Sequence, residues 1–230
     1  MNQPRVGAVS GITELATFYA DPPDGVRANM IFSADGAAAF GGRAGPLSCP
    51  TDQELLGILR GFADVVLVGA GTARAENYGP ARPTEGRATP PPIAVISRTG
   101  DLPDRLFSDP GQPPILVTSA LAAEQANLAR DSRWRVLIAG EDTVDVRQAV
   151  ALLRAQGMHR ILCEGGPTLL DALVDADAVT EICVTLAPKL AANQPVGQRS
   201  LPSALTLPIG MRLDHALVHG DYLFLKYRGD

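Results

Sequence analysis

Short apolar runs recur along this chain, each followed by a glycine-rich or polar turn and then by residues with helical spacing. The runs lie at residues 26–33, 64–69, 93–97, 115–118, 135–139, 160–163 and 181–186. Runs this brief and predominantly apolar, the first of them mixed, read as strands buried on both faces, as in a parallel sheet covered by helices. Between them, Thr51-Asp-Gln-Glu54 reads as a capping box, and Leu55, Leu56, Leu59 and Phe62 then repeat at helical spacing. Ser119 is placed to cap a helix running to about residue 129, and Val146, Ala149, Val150 and Leu153 mark a further helix face closed by Gly157. The alternation predicts an α/β fold: a central, mostly parallel sheet with helices on both faces. Near the C-terminus, residues 213–219 and 222–227 flank Gly220-Asp221, a two-residue hairpin turn, so an antiparallel hairpin is expected at the sheet edge. Residues 1–25, ending in Asp21-Pro-Pro-Asp-Gly25, read as an N-terminal arm, and residues 26–230 as one domain. The stretch 34–50, rich in Gly and Ala, reads as a mobile loop, and 188–211, with Pro195, Gly197, Pro202, Pro208 and Gly210, as a long one.

Composition narrows the function classes. The chain has 230 residues, 46% of them hydrophobic, enough for one sizeable core. A net charge of −5 argues against a nucleic-acid surface while leaving room for a single phosphate pocket. No apolar run reaches membrane-spanning length and no secretory signal is seen, so no membrane partner is expected. Cys163 and Cys183 sit inside apolar runs and read as reduced core residues of a cytoplasmic protein. His215 and His219 are four apart on a strand, without the neighbours a metal needs, and no metal is expected. Trp134 opens a strand and reads as a core or interface anchor.

Two strand–glycine–threonine turns carry the chemistry. One is Gly69-Ala-Gly-Thr72; the other is Glu164-Gly-Gly-Pro-Thr168. Glycines let a ligand approach the backbone, and Pro167 suits the first turn of a helix whose free N–H groups and dipole favour a phosphate. If the two preceding strands are neighbours, the turns form the lips of one cleft. The first turn is not a dinucleotide fingerprint, because Arg74 stands where a third glycine is required. Glu164 beside an anion site implies a second ligand that offers it a ring N–H. An ordinary strand-to-helix turn is the competing reading.

Taken in order, Ala28-Asn-Met-Ile-Phe-Ser-Ala-Asp-Gly36, Leu59-Arg60, Asp64-Val-Val-Leu-Val-Gly-Ala-Gly-Thr72, Ala94-Val-Ile-Ser97, Glu164-Gly-Gly-Pro-Thr168 and Leu186-Ala-Pro188 resemble the reductase domain of the bacterial bifunctional riboflavin-biosynthesis deaminase-reductase. That domain has a dihydrofolate-reductase-like fold. No deaminase zinc signature occurs, so the chain resembles a free-standing reductase. The resemblance implies NADPH, with its pyrophosphate along Gly69, Gly71, Thr72, Gly165, Gly166, Pro167, Thr168 and Leu169. Its adenosine end would lie near Ser97 and Arg98, and Arg98, with Arg74, would pair with the 2′-phosphate. A solvated surface charge is the alternative for either arginine.

On the substrate side, the resemblance implies Ser33, Asp35, Arg60, Glu76 and Glu164. Asp35 and Glu164 would be the catalytic carboxylates, orienting a ring or relaying a proton, and Arg60 would hold a substrate phosphate. An Asx turn with Gly36 is the alternative for Asp35, and a helix-end cation for Arg60. Two segments depart from the family pattern: Glu76-Asn-Tyr78 replaces an Asp-Asp-Pro run, and Gly45-Pro-Leu-Ser48 replaces a Ser-x-Trp. The expected reaction is hydride transfer from NADPH to a ribosylamino-pyrimidine, with dihydrofolate reduction as the runner-up and a non-catalytic NADPH sensor as the alternative of another class. The small-molecule substrate is heterocyclic, residues 36–50 are placed to act as a lid, and the family likeness implies a homodimer, with residues 181–186 and 213–227 available to extend pairing between subunits.

Overall fold

The computed structural model describes residues 3–84, 89–192, 203 and 205–229. Of the residues that punctuate the long loop at 188–211, Pro195, Gly197 and Pro202 lie outside the described residues. Ten strands form one sheet: β1 (Arg5–Ala8), β2 (Gly25–Ser33), β3 (Val65–Gly69), β4 (Ile93–Ile96), β5 (Ile115–Thr118), β6 (Arg135–Ile138), β7 (Arg160–Cys163), β8 (Val179–Ala187), β9 (Arg212–His219) and β10 (Tyr222–Arg228). Their spatial order is β1-β9-β10-β8-β2-β7-β3-β4-β5-β6, and β10 alone runs antiparallel to its neighbours. Among the described residues six α-helices cover it: α1 (Ile12–Thr17), α2 (Pro50–Phe62), α3 (Ala70–Ala75), α4 (Ala120–Gln125), α5 (Val146–Ala155) and α6 (Pro167–Asp175).

The strand pattern dictates the two cores. Alternate side chains point to opposite faces, so Val66, Val68 and Leu162 meet Leu15, Leu55, Leu59 and Ala73 of α1–α3 on one face. Val65, Leu67, Ile161 and Cys163 meet Ala149 and Leu153 of α5 and Leu169 and Leu173 of α6 on the other. All four β3 residues from Val65 to Val68 are fully buried, each contributing roughly 2 kcal/mol through apolar area removed from water. Burial pushes the Cys163 thiol up to about 12, which keeps it an inert core group. Trp134 lies just before β6, packs on Leu116 and Leu128, and donates its indole N–H to Leu128 O at 2.8 Å.

Several expectations need correction. Thr51-Asp-Gln-Glu54 does not cap α2; the helix starts two residues earlier, at Pro50, with Cys49 as N-cap and no capping side chain. Ser48 instead spends its hydroxyl on Asp52, at 2.6 Å. The helix expected to reach residue 129 stops at Gln125, because Asn127 turns left-handed (φ 52°) and a 3₁₀ turn follows. Residues 5–8, read as part of an arm, pair in parallel with β9 and become the sheet edge. The C-terminal hairpin therefore lies inside the sheet. β8, β9 and β10 each have partners on both sides and leave no free edge to extend between subunits. The stretch at 34–50 is tied at several points: Lys189 Nζ donates to Pro46 O at 2.7 Å, Tyr222 OH to Leu47 O at 3.0 Å, and Leu47 is buried.

What holds the N-terminal segment is buried charge. Arg27 on β2 faces Glu181 on β8 at the same register, and its guanidinium also donates to Tyr19 O (3.0 Å) and Asp21 O (3.1 Å). Lys226 Nζ donates to Phe18 O and lies 3.0 Å from Asp214. His215 sits among these groups against the Phe18 and Tyr19 rings, and neither of its ring nitrogens makes a hydrogen bond among the described residues. Burial first, and then the Lys226 cation, push the imidazole down to about 4. The folded protein thus prefers neutral His215. The resulting stability is fully present above the unfolded value near 6.5 and is lost as pH falls toward about 4, a penalty of about 3 kcal/mol at the acid end. His215→Leu removes that slope. Urea midpoints measured from pH 7 to pH 4 should fall less steeply for the variant than for the wild type, and parallel curves would refute the assignment.

Candidate active site

β3 and β7 are parallel neighbours, with Leu67 opposite Cys163. The helices that follow them leave for opposite faces, α3 through Ala73 and α6 through Leu169 and Leu173. Such a switch in direction opens a crevice beyond the carboxyl ends of the strands. Backbone bonds carry the contact past the strand ends: Gly69 N–H donates to Gly165 O at 2.9 Å, and Glu164 N–H to Leu67 O at 3.0 Å. A cleft of about 470 Å³ opens there, walled by both glycine turns, by α2 and by the loop after β2.

The glycines set how closely the two turns approach one another. Gly165 has φ of +82°, and a Cβ there would lie 3.0 Å from Met30 Sδ. A Cβ on Gly166 would lie 2.4 Å from Thr72 Oγ1 of the opposite turn, and one on Gly71 would meet nothing within 4 Å. The Gly165–Gly166 peptide is cis. α6 starts with Gly166 as N-cap, Pro167 at its first position and no capping side chain; Leu169 N–H donates to Gly166 O at 3.0 Å, which leaves the Thr168 N–H of the first turn for an anion. Bare backbone facing open space beside an uncapped helix start fits the charged middle of a dinucleotide.

Glu164, the residue after β7, anchors the other side of the cleft. Arg60, in the last turn of α2, grips it with both prongs of the guanidinium, Nε to Oε1 and Nη2 to Oε2, each at 2.6 Å. Tyr78 donates its hydroxyl to Oε2, also at 2.6 Å, and its ring lies 5.6 Å from the Arg60 guanidinium. Burial, and then the Glu164 carboxylate, push the Tyr78 phenol well above its ordinary range, so it stays a neutral donor. Burial opposes the charge on Arg60, but the facing carboxylate outweighs it and raises the guanidinium pKa further. Glu164 thus accepts three hydrogen bonds on its two oxygens, which fixes the direction of its carboxylate.

The structure brings Gly69, Gly71, Thr72, Gly166, Pro167, Thr168 and Leu169 together on the cleft wall, with Arg60, Glu76 and Glu164; Gly165 backs that wall against Met30. Glu76 serves the loop, accepting Ala44 N–H at 2.6 Å and lying 3.5 Å from Arg43. Other candidates sit apart. Ser33 donates to Asp35 at 2.5 Å, and Asp35, exposed, accepts N–H bonds from Ala191 and Ala192 at 3.1 and 2.8 Å. These bonds, the Ser33 hydroxyl first, hold its carboxyl below the ordinary range. Neither residue is on the cleft wall, and Asp35 links the loop after β2 to residues 191–192. Ser97 is buried and accepts N–H bonds from Thr99 and Gly100; Arg98 is exposed. Arg74 reaches that same turn, donating to Asp101 O at 2.8 Å. Arg74, Ser97 and Arg98 lie outside the cleft wall, clustered beside it. Sequence reasoning missed Tyr78 and Asp52 as cleft residues. The signal for Asp52 was present, since Asp52, Leu56 and Arg60 follow one another at intervals of four along one helix face.

Comparison with known proteins agrees with this geometry. Residues 25–218 match the RibD C-terminal domain family. Two curated relatives are 2,5-diamino-6-ribosylamino-4(3H)-pyrimidinone 5′-phosphate reductases. The one from Archaeoglobus fulgidus is 26% identical over 153 residues, covering 62% of this chain and 69% of the relative. That from Methanothermobacter thermautotrophicus is 27% identical over 169 residues, covering 70% and 76%. Among solved structures, a pyrimidine reductase-like protein from Corynebacterium diphtheriae shares the fold at a TM-score of 0.76 and 24% identity, covering 95% of this chain and 98% of that one. The deaminase/5-amino-6-(5-phosphoribosylamino)uracil reductase of Thermotoga maritima does so at 0.71 and 18%, covering 91% of this chain and 57% of the other. A reductase of this family implies a nicotinamide cofactor. The chain belongs to the RibD C-terminal domain family and is an oxidoreductase.

Proposed function

We propose that this protein reduces a phosphorylated ribosylamino-pyrimidine with a hydride drawn from NADPH. The carrying observation is the pairing of an open, uncapped glycine cradle with a buried, pre-oriented carboxylate in one cleft. Bound in the cradle, the reduced nicotinamide supplies the hydride. The protein's part is placement and exclusion of water. Backbone at Gly71 and the α6 start hold the dinucleotide's charged middle. Arg74 and Arg98, grouped at the turn after β4, are the cations available to a 2′-phosphate, which supports NADPH over NADH. Glu164 accepts a substrate N–H, and Arg60 and Tyr78 keep it aimed; Arg60 is a positioning residue in this reading, because its fork is closed on Glu164. No observation favours dihydrofolate over the pyrimidine. Residues 26–230 act as one reductase domain, with residues 1–25 adding an edge strand and α1, and a cytoplasmic homodimer is the working assembly.

Gly166→Val is expected to weaken NADPH binding roughly a hundredfold, about 2.7 kcal/mol, in a fluorescence titration, with the circular dichroism spectrum retained; unchanged affinity would refute the cradle. Arg60→Met leaves a buried carboxylate without its counter-charge. It should cost about 2 kcal/mol of stability and lower kcat/KM more than Tyr78→Phe, which removes one hydrogen bond worth about 1 kcal/mol; equal effects in melting and steady-state assays would contradict the arrangement. Sedimentation velocity should read twice the 24.1 kDa chain mass, and a monomer would remove the dimer from the proposal.

A further inference from the structure

The acceptor capacity of the cleft discriminates between two pyrimidines. Its charged lining among the described residues is Asp52, Arg60, Glu76 and Glu164. Arg60 and Glu164 neutralise one another. Glu76 is spent on Ala44 N–H and Arg43. Asp52 differs: Oδ2 accepts the Ser48 hydroxyl at 2.6 Å, and no described residue bonds Oδ1. It stands in the first turn of α2, on the cleft wall. It is eight residues from Arg60 on the same helix, or ~12 Å along the axis. One end of the cleft therefore presents an anionic acceptor, with the amides of Asn29 and Gln53 on the same wall.

We infer that Asp52 is a specificity-determining residue that selects a 2-amino-4-oxo-pyrimidine over the corresponding uracil. The inference rests on the reductase reading above. In a 2-amino-4(3H)-pyrimidinone, the ring N3–H and the 2-amino group are adjacent donors, spaced to meet both oxygens of one carboxylate. In a uracil, position 2 is a carbonyl, and its oxygen would face the same anion across a low-dielectric gap. That repulsion, with an acceptor left unpaired, disfavours the uracil. Both rings carry a carbonyl at position 4, to which the amide N–H of Asn29 or Gln53 is available, so the distinction falls on position 2. A reaction order follows. The step that exchanges the 2-amino group for oxygen, consuming water and releasing ammonia, comes after reduction in the sequence this enzyme serves, and its substrate is supplied by a reaction that leaves the 2-amino group in place.

The test is a competition with the full chain and NADPH, offering 2,5-diamino-6-ribosylamino-4(3H)-pyrimidinone 5′-phosphate and 5-amino-6-ribosylamino-uracil 5′-phosphate, read as kcat/KM from NADPH consumption. The wild type should prefer the 2-amino compound by roughly a hundredfold. Asp52→Asn, whose amide suits a carbonyl as well as an amino group, should erase most of that preference by losing the 2-amino compound and sparing the uracil. Equal use of both pyrimidines, or a preference for the uracil, overturns the role of Asp52 and leaves the reductase reading standing. An Asp52→Asn variant that loses both equally also overturns it. Consumption of NADPH with neither compound overturns both. The wild-type preference needs no variant, so a poorly folding substitution does not spare the inference.

Discussion

The junction of β3 and β7 is the feature on which the rest of the structure depends. Two parallel strands end side by side, and their backbones stay bonded for one residue more, through Gly69 to Gly165 and Glu164 to Leu67. Because α3 and α6 then leave on opposite faces, no side-chain layer closes over the strand ends. The gap is a consequence of topology, and glycine lets the two turns meet beneath it: at Gly165 the backbone occupies a region that favours glycine, and at Gly166 any Cβ would run into Thr72 of the opposite turn. A cleft built this way presents backbone amides along one wall without requiring a charged side chain to hold an anion.

The same junction fixes Glu164. It follows β7 directly, so its backbone is set by the strand pair, and its carboxylate enters the cleft at low solvent exposure. An isolated carboxylate there would be costly. Arg60 from α2 and Tyr78 from the turn after α3 remove that cost by supplying three hydrogen bonds at 2.6 Å. Three separate stretches of chain thus meet at one side chain, and the cleft wall is rigid where the substrate must be oriented. A second buried charge cluster, around Arg27, Glu181, Asp214 and Lys226 on β2, β8, β9 and β10, does comparable work. It anchors residues 18–21 and so holds α1 on the core, with His215 enclosed in neutral form.

The legible parts of the fold are those where one physical requirement acts locally. Residues 64–69 and 160–163 read as strands because all that follows their first residues, Asp64 and Arg160, is apolar or glycine, and both lie in the sheet interior. Ser119 and Gly157 mark a helix start and a helix end, since capping and a left-handed turn are decided by single residues. Thr51 misled because the same residue pattern caps a helix only if the chain enters at the right angle, and Pro50 had already begun the turn. Residues 5–8 gave no strand signal, being exposed and brief; their pairing depends on β9, more than two hundred positions away.

The order of short apolar runs and glycine turns by itself determined an α/β sheet, the two turns that line the cleft, and Glu164 as its acid, because burial and backbone freedom are written residue by residue. Only the tertiary structure decided which distant groups meet. It set Arg60 on Glu164, brought Tyr78 to the same carboxylate, turned Asp35 to a clasp away from the cleft, and left Asp52 with an unused oxygen inside it. The physical reason is that a charged side chain is legible only with its partner. The partner is chosen by strand order and helix direction, which arise from packing the whole sheet.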